Sequence, residues 1–181
     1  MSRLILIMCA LFSASVFANT KVLFKTTLGN FTIQLDEAHA PITSANFLRY
    51  VNDGSYKGTI FHRVIPGFMA QGGGFDKNMQ QQQSYAAIKN EASNGLKNKV
   101  ASVAMARTND PDSATRQFFI NYADNDFLDY SSSKPGYAVF GQVIDGYDVV
   151  QKMANIPTKT SGFMKDVPAT PIIVTDVTIQ K

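Results

Sequence analysis

The sequence predicts a mainly β protein: a closed, eight-stranded antiparallel β-barrel capped by two α-helices. Three observations carry that reading. Short β-branched and aromatic segments recur along the chain, most of them joined by brief turns of Gly, Asn, Asp or Pro. Only two stretches show the 3.6-residue spacing of an amphipathic helix. No internal repeat and no Pro/Ser-rich linker interrupts the pattern, so the strands belong to one sheet system that must hide its own edges.

In chain order, Lys21–Thr27 and Asn30–Leu35 alternate apolar and polar residues around Leu28-Gly29-Asn30, a hairpin signal. Pro41 opens a helical pattern with Ile42, Ala45, Phe47, Leu48 and Val51 on its apolar face, and Gly54 ends it. Tyr56–Ile60 leads into a hairpin whose first strand is Phe61–Ile65. Pro66-Gly67 supplies a type II turn, because proline pre-sets φ at the first central position and glycine accepts φ > 0 at the second. The second strand, Phe68–Gln71, is expected to break at Gly72-Gly73-Gly74. Strict alternation places His62 and Arg63 on opposite faces, so both cannot enter the core.

Asp76–Asn98 is polar, carries a short glutamine run at Gln80–Gln83, and reads as a solvated loop. Val100–Met105 and Gln117–Ile120 are strands separated by a polar turn at Asp110–Ala114. Asp124–Gly136 is loop with Phe127 and Leu128 set into it, and Tyr137–Val143 is strand. Asp145–Ala154 is the second helix, burying Val149, Val150 and Met153 until Ile156-Pro157 stops it. Thr158–Val167 reads as an irregular loop, and Ile172–Gln180 as a closing strand near the N-terminal one.

The first eighteen residues are set apart. Arg3 makes a minimal basic n-region, Leu4–Phe17 is an apolar run, and Val16-Phe17-Ala18 supplies small or modest side chains before a cut after Ala18, which is the pattern of a cleavable signal peptide. The expectation is a leader at 1–18 and one folded domain at 19–181, exported to the periplasm. Cys9, the single cysteine, falls in the leader, so the domain has no disulfide, thiol nucleophile or Cys-based metal site. Losing Arg3 lowers the formal charge from +3 to +2. With no basic cluster, that balance speaks against a nucleic-acid partner. No later apolar run approaches membrane-spanning length, so no membrane contact is expected once the leader is gone.

The stretch Phe61–Gly74, F-H-R-V-I-P-G-F-M-A-Q-G-G-G, holds the chemistry. It resembles the signature of the cyclophilins, F-H-R-(V/I)-I-x-x-F-M-x-Q-G-G, without a gap. Two further segments follow in the family's order: Met105-Ala106-Arg107 with Gln117-Phe118-Phe119-Ile120, and Phe127-Leu128-Asp129 with Tyr137-Ala138-Val139-Phe140-Gly141. The resemblance covers essentially Lys21–Lys181 and implies peptidyl-prolyl cis–trans isomerase activity on proline-containing peptides and on exported proteins that are unfolded or folding. By that resemblance Arg63 is the main catalytic residue, with Gln71 and Phe119 beside it. Phe68, Met69, Phe119 and Leu128 match the proline pocket. Gln71 and Gln117 match the groups that hold the substrate backbone and orient the arginine. Ala106 and Arg107 match the groove for the residue before proline, and Phe127 and Tyr137 match the rim. No cofactor and no metal are implied.

Departures lie at the rim. Phe127, Tyr137 and Arg107 stand where well-studied eukaryotic members carry Trp, His and Asn, which resembles the bacterial exported branch. Cyclosporin A is therefore expected to bind weakly, because Phe127 lacks the indole N–H. Two other readings compete. A metal or hydrolytic enzyme would have to use His39 and His62, which have no partner set identifiable from spacing. A catalytically silent peptide-binding or chaperone module would share the fold, but the retained Arg63, Gln71 and Phe119 argue against it.

Overall fold

A computed structural model describes residues 19–180. Eight strands close into a barrel: β1 (Lys21–Thr26), β2 (Gly29–Leu35), β3 (Thr59–Ile65), β4 (Met69–Asp76), β5 (Ser102–Met105), β6 (Phe118–Asn121), β7 (Val139–Asp145) and β10 (Ile172–Gln180). Around the barrel they run β1-β10-β3-β4-β6-β5-β7-β2, every neighbouring pair antiparallel. Helices α1 (Pro41–Asn52) and α2 (Tyr147–Met153) complete the architecture. No helix among the described residues is long and apolar enough to cross a membrane.

The interior is aromatic. Phe24, Phe31, Phe47, Phe61, Phe118 and Tyr56 are buried, and their rings stand 5.2–6.2 Å apart from neighbour to neighbour, mostly tilted or edge-on. Edge-to-face contact matches the positive rim of one ring to the negative face of the next. Truncating any of these rings to alanine would cost about 3–5 kcal/mol. Both helices feed the same cluster, α1 through Phe47, Tyr50 and Val51, and α2 through Val149, Val150 and Met153.

Four local expectations are corrected. On α1, Ile42 and Ala45 face solvent, while Thr43, Ser44, Asn46, Phe47, Tyr50 and Val51 are buried. Asn46 donates its Nδ2 to the Thr115 carbonyl, and Thr43 can sit inside because the remote Glu91 carboxylate caps the helix. It accepts from the Ile42 and Thr43 backbone N–H groups at 3.1 and 2.7 Å and from the Thr43 hydroxyl at 2.7 Å. This supplies the cap that Ala40, at the helix start, cannot.

The glycine triplet does not end its strand, since β4 runs through it to Asp76. The glycines answer to packing instead. A Cβ on Gly73 would stand 2.9 Å from the Tyr56 ring, and one on Gly74 would stand 2.6 Å from the Gln117 side chain. The strict alternation of β3 also fails. A bulge between Phe61 and Arg63 lets Phe61 and Val64, three residues apart, both enter the interior cluster. His62, itself buried, and Arg63 are thereby both left off the interior cluster, lining one cavity. Finally, Thr158–Val167 is regular: β8 (Thr158–Ser161) and β9 (Met164–Pro168) form a separate hairpin outside the barrel ladder.

The polar segment after β4 is held down by Arg116, which is 2% exposed. Its guanidinium donates to the carbonyls of Gly73, Gln83 and Ser55, each at 2.6 Å, and lies 5.0 and 5.6 Å from the Tyr50 and Tyr56 ring centroids. Carbonyls and ring faces thus do the work of a counterion.

Candidate active site

On the outer wall formed by β4, β6, β5 and β7, a second and smaller apolar cluster gathers around Met69, Phe119, Ala104 and Val139. Above it is a cavity of about 150 Å³ lined by Arg63, Phe68, Met69, Gln71, Ala106, Arg107, Phe119, Leu128 and Tyr137. The cavity thus brings together nine of the eleven residues singled out from the sequence. Met69 and Phe119 are buried at its floor, while Phe68 and Leu128 form apolar walls. Tyr137 stands edge-on to Phe119 at 5.9 Å.

Register explains the polar side. Arg63 on β3 lies directly opposite Gln71 on β4, and Gln71 is in turn opposite Phe119 on β6. Cross-strand partners of this kind stand about 4.5–5.5 Å apart at Cβ, so one cation, one amide and one ring are fixed in a row. The Gln71 Nε2 donates to Gln117 Oε1 at 2.8 Å. Gln117 is therefore a brace behind the cavity wall rather than part of the lining, and Gly74 provides the space for its side chain.

Arg63 is held loosely. It donates no hydrogen bond among the described residues, and its one ionic neighbour is Asp166 of β9, with Nε 3.8 Å from the carboxylate. Its side chain is 41% exposed, leaving the guanidinium free to donate to a ligand. Arg107 is the opposite case. Its Nε and Nη2 donate to the Gly136 carbonyl at 3.1 and 2.9 Å, Nη1 donates to the Thr108 carbonyl at 2.8 Å, and the guanidinium lies 4.3 Å from the Tyr137 ring centroid. It pins the segment that presents Tyr137.

Phe127 does not line the cavity. It is 61% exposed on the short 3₁₀ turn Asp126–Leu128 and stacks on Phe68 at 5.6 Å, extending the apolar rim outward. Neither histidine lines the cavity. His39 Nδ1 binds Asp36 at 2.8 Å on the surface, and His62 is buried edge-on against Phe75 at 4.8 Å. Burial lowers the pKa of His62 to about 4, so its imidazole is neutral.

Sequence reasoning missed the support beneath the rim. Asn125 Nδ2 donates to the Phe68 carbonyl at 3.0 Å and to Asn121 Oδ1 at 2.7 Å. Asn121 Nδ2 donates to Ser102 Oγ at 2.9 Å, and Asn98 donates twice to Asp129. This network ties the turn carrying Phe127 and Leu128 to the turn carrying Phe68. Asparagines scattered over a strand end and two loops give no periodic signal, so only the fold reveals that they converge.

The family model for cyclophilin type peptidyl-prolyl cis-trans isomerase/CLD matches residues 21–179. A peptidyl-prolyl cis-trans isomerase of Acinetobacter baylyi is 56% identical over 170 residues, covering 94% of this chain and 90% of the relative. Peptidyl-prolyl cis-trans isomerase B of Escherichia coli is 50% identical over 163 residues, covering 88% and 99%. Among solved structures, a Cryptosporidium parvum cyclophilin type peptidyl-prolyl cis-trans isomerase, crystallised in the presence of the dipeptide Ala-Pro, superposes with a TM-score of 0.74. Its sequence identity is 27%, and the match covers 89% of this chain and 99% of that one.

Proposed function

Since the chain belongs to the cyclophilin-type peptidyl-prolyl cis–trans isomerases, we propose that it turns the X–Pro bond by hydrogen-bonding the prolyl nitrogen from Arg63. Cis and trans X–Pro forms differ by only ~0.5–1 kcal/mol, but a barrier of ~18–20 kcal/mol separates them. Rotation removes the double-bond character of the C–N bond. The nitrogen then becomes pyramidal and regains a lone pair. A donor aimed at that lone pair stabilises the twisted state and has nothing to bind in the planar one, which is the condition for catalysis. No bond is made or broken, so the reaction calls for no nucleophile, metal or cofactor.

The observation that carries this reading is the free guanidinium of Arg63 at the edge of an apolar cavity. Phe68, Met69, Phe119 and Leu128 would hold the proline ring and exclude water, which strengthens the hydrogen bond at the reacting nitrogen. Gln71, braced by Gln117, would hold the backbone beside it, and Ala106 with Arg107 would face the residue before proline.

Because an arginine donor does not titrate in the working range, kcat/KM for an Ala-Pro peptide should be flat between about pH 5.5 and 9. Exchange spectroscopy between the cis and trans peaks measures it without a coupling protease. A limb near pH 6–7, the ordinary range of histidine, would overturn the proposal.

We also infer export. Arg3, the apolar run Leu4–Phe17 and Ala18 support a cleavable leader, although 1–18 lie outside the described residues. In that setting the clients are exported proteins that are still folding. Mass spectrometry of the protein from its native host should find Asn19 at the N-terminus, and a full-length cytoplasmic chain would refute export.

A further inference from the structure

A second cavity, of about 450 Å³, adjoins the first across the side chains of Arg63 and Gln71, which line both. Its floor includes His62, Phe75 and Gln117, and its outer wall is the β8–β9 hairpin. That hairpin takes no part in closing the barrel. Ser161 pairs with Met164 across a two-residue turn, in which Gly162 takes φ 58°, as a type II′ turn requires of its first central residue. The second central residue is Phe163. This residue is fully solvent-exposed, at 105% of the reference area, and lines the cavity together with Met164.

The turn does not need a phenylalanine there. Small polar residues serve turns at least as well, and an aromatic ring left wholly in water adds nothing to the fold. Large, rigid aromatics at exposed tips suit recognition, because they bring much contact area at little entropic cost. Phe163, Met164 and Phe75 supply the apolar part of a lining whose other six residues are polar or charged, with Arg63 and Lys165 positive and Asp166 negative. The one excess charge is the Arg63 guanidinium shared with the first cavity, and the apolar side chains are what the second cavity adds.

We propose that this cavity is a second subsite of the peptide substrate, taking an aromatic or large apolar side chain two or three residues from the X–Pro bond. The proposal rests on the reading that the X–Pro bond lies against Arg63. Continuity names the occupant: a peptide anchored at Arg63 already touches a wall of the second cavity. An extended chain covers ~3.3 Å per residue, so two or three residues cross the width of an arginine and a glutamine side chain. A contact so far from the rotating bond is the same in the cis, trans and twisted states. It therefore acts on KM and leaves kcat alone.

The test uses peptides sharing one Ala-Pro core, with alanine or phenylalanine two and three residues to either side, on the wild-type protein, Phe163→Ala and Phe163→Leu. For wild type, phenylalanine at one of those positions should lower KM about two- to tenfold at unchanged kcat, the range of one aromatic contact. Phe163→Ala should abolish that preference while leaving turnover of the all-alanine peptide unchanged, and Phe163→Leu should keep part of it. A wild-type protein that does not distinguish the peptides overturns the proposal without recourse to any variant. So does a Phe163→Ala protein that keeps the whole preference. Failure of the wild type to turn over even the all-alanine peptide would instead count against the Arg63 reading.

Discussion

Replacing Arg63 with alanine should separate catalysis from folding cleanly. Removing one preorganised donor from a transition state costs ~2.7–4 kcal/mol, so kcat/KM should fall ~10²–10³-fold. The stability cost follows from what the side chain touches. Arg63 donates no hydrogen bond among the described residues, and its ionic neighbour Asp166 stands 3.8 Å away with both side chains about 40% exposed. Such pairs are worth ~0–1 kcal/mol. The melting temperature should therefore move by only a few degrees. Arg63→Lys should recover little activity, because a mobile ammonium does not hold the fixed fork of a guanidinium. The assay is cis–trans exchange of a short Ala-Pro peptide, with circular dichroism on the same sample. An alanine variant that stays folded and turns over within a few-fold of wild type would refute the role given to Arg63.

The buried arginine should behave in the opposite way. Arg116→Met leaves the carbonyls of Gly73, Gln83 and Ser55 without their donor, and urea titration should show a loss of about 3 kcal/mol or more. At the rim, Phe127→Trp adds an N–H donor to an exposed ring, so cyclosporin A should bind about ten- to hundredfold more tightly with turnover little changed. Equal inhibition of both proteins would move the cause to Tyr137 or Arg107. His62 sets an acid-side dependence. Its folded pKa is about 4 and the unfolded value is about 6.5, so between those values the unfolded chain binds a proton that the folded one refuses. The stability this gives is whole above about pH 6.5 and is lost as pH falls to about 4, at most ~1.4 kcal/mol per pH unit and about 3 in all. Melting curves of His62→Gln should show a shallower slope across that window, and an unchanged slope would refute the assignment.

The barrel and the cavity were legible in the sequence for different reasons. Alternation in Lys21–Thr26 and at the start of Ile172–Gln180 reports strands directly, because Val22, Phe24 and Thr26, and then Ile172 and Val174, turn inward between more exposed neighbours. The cavity residues were legible only through resemblance, since Phe68 or Met69 alone could equally be core. What failed were inferences that needed tertiary partners. Gly72–Gly74 looked like a strand break until Tyr56 and Gln117 were seen against them. Ile42 looked buried until Glu91, about fifty residues away, proved able to satisfy Thr43 inside. The β8–β9 hairpin alternates weakly because its strands are mostly exposed, and pattern reading depends on burial.

The closure of the barrel has a temporal side. Its seam joins β1 to β10 from Lys21↔Gln180 to Thr26↔Val174, and β10 also pairs with β3. β10 is thus made after every other described element, and two earlier strands wait for it. Until it arrives, β1 and β3 each present a bare row of N–H and C=O groups, a template for pairing with other chains. Contacts between such distant positions also form slowly, because a long loop must close first. A nascent chain is therefore kept from closing its barrel until residues 172–180 have been made. A chain cut just before Ile172 should not be a slightly weaker isomerase but an aggregating one.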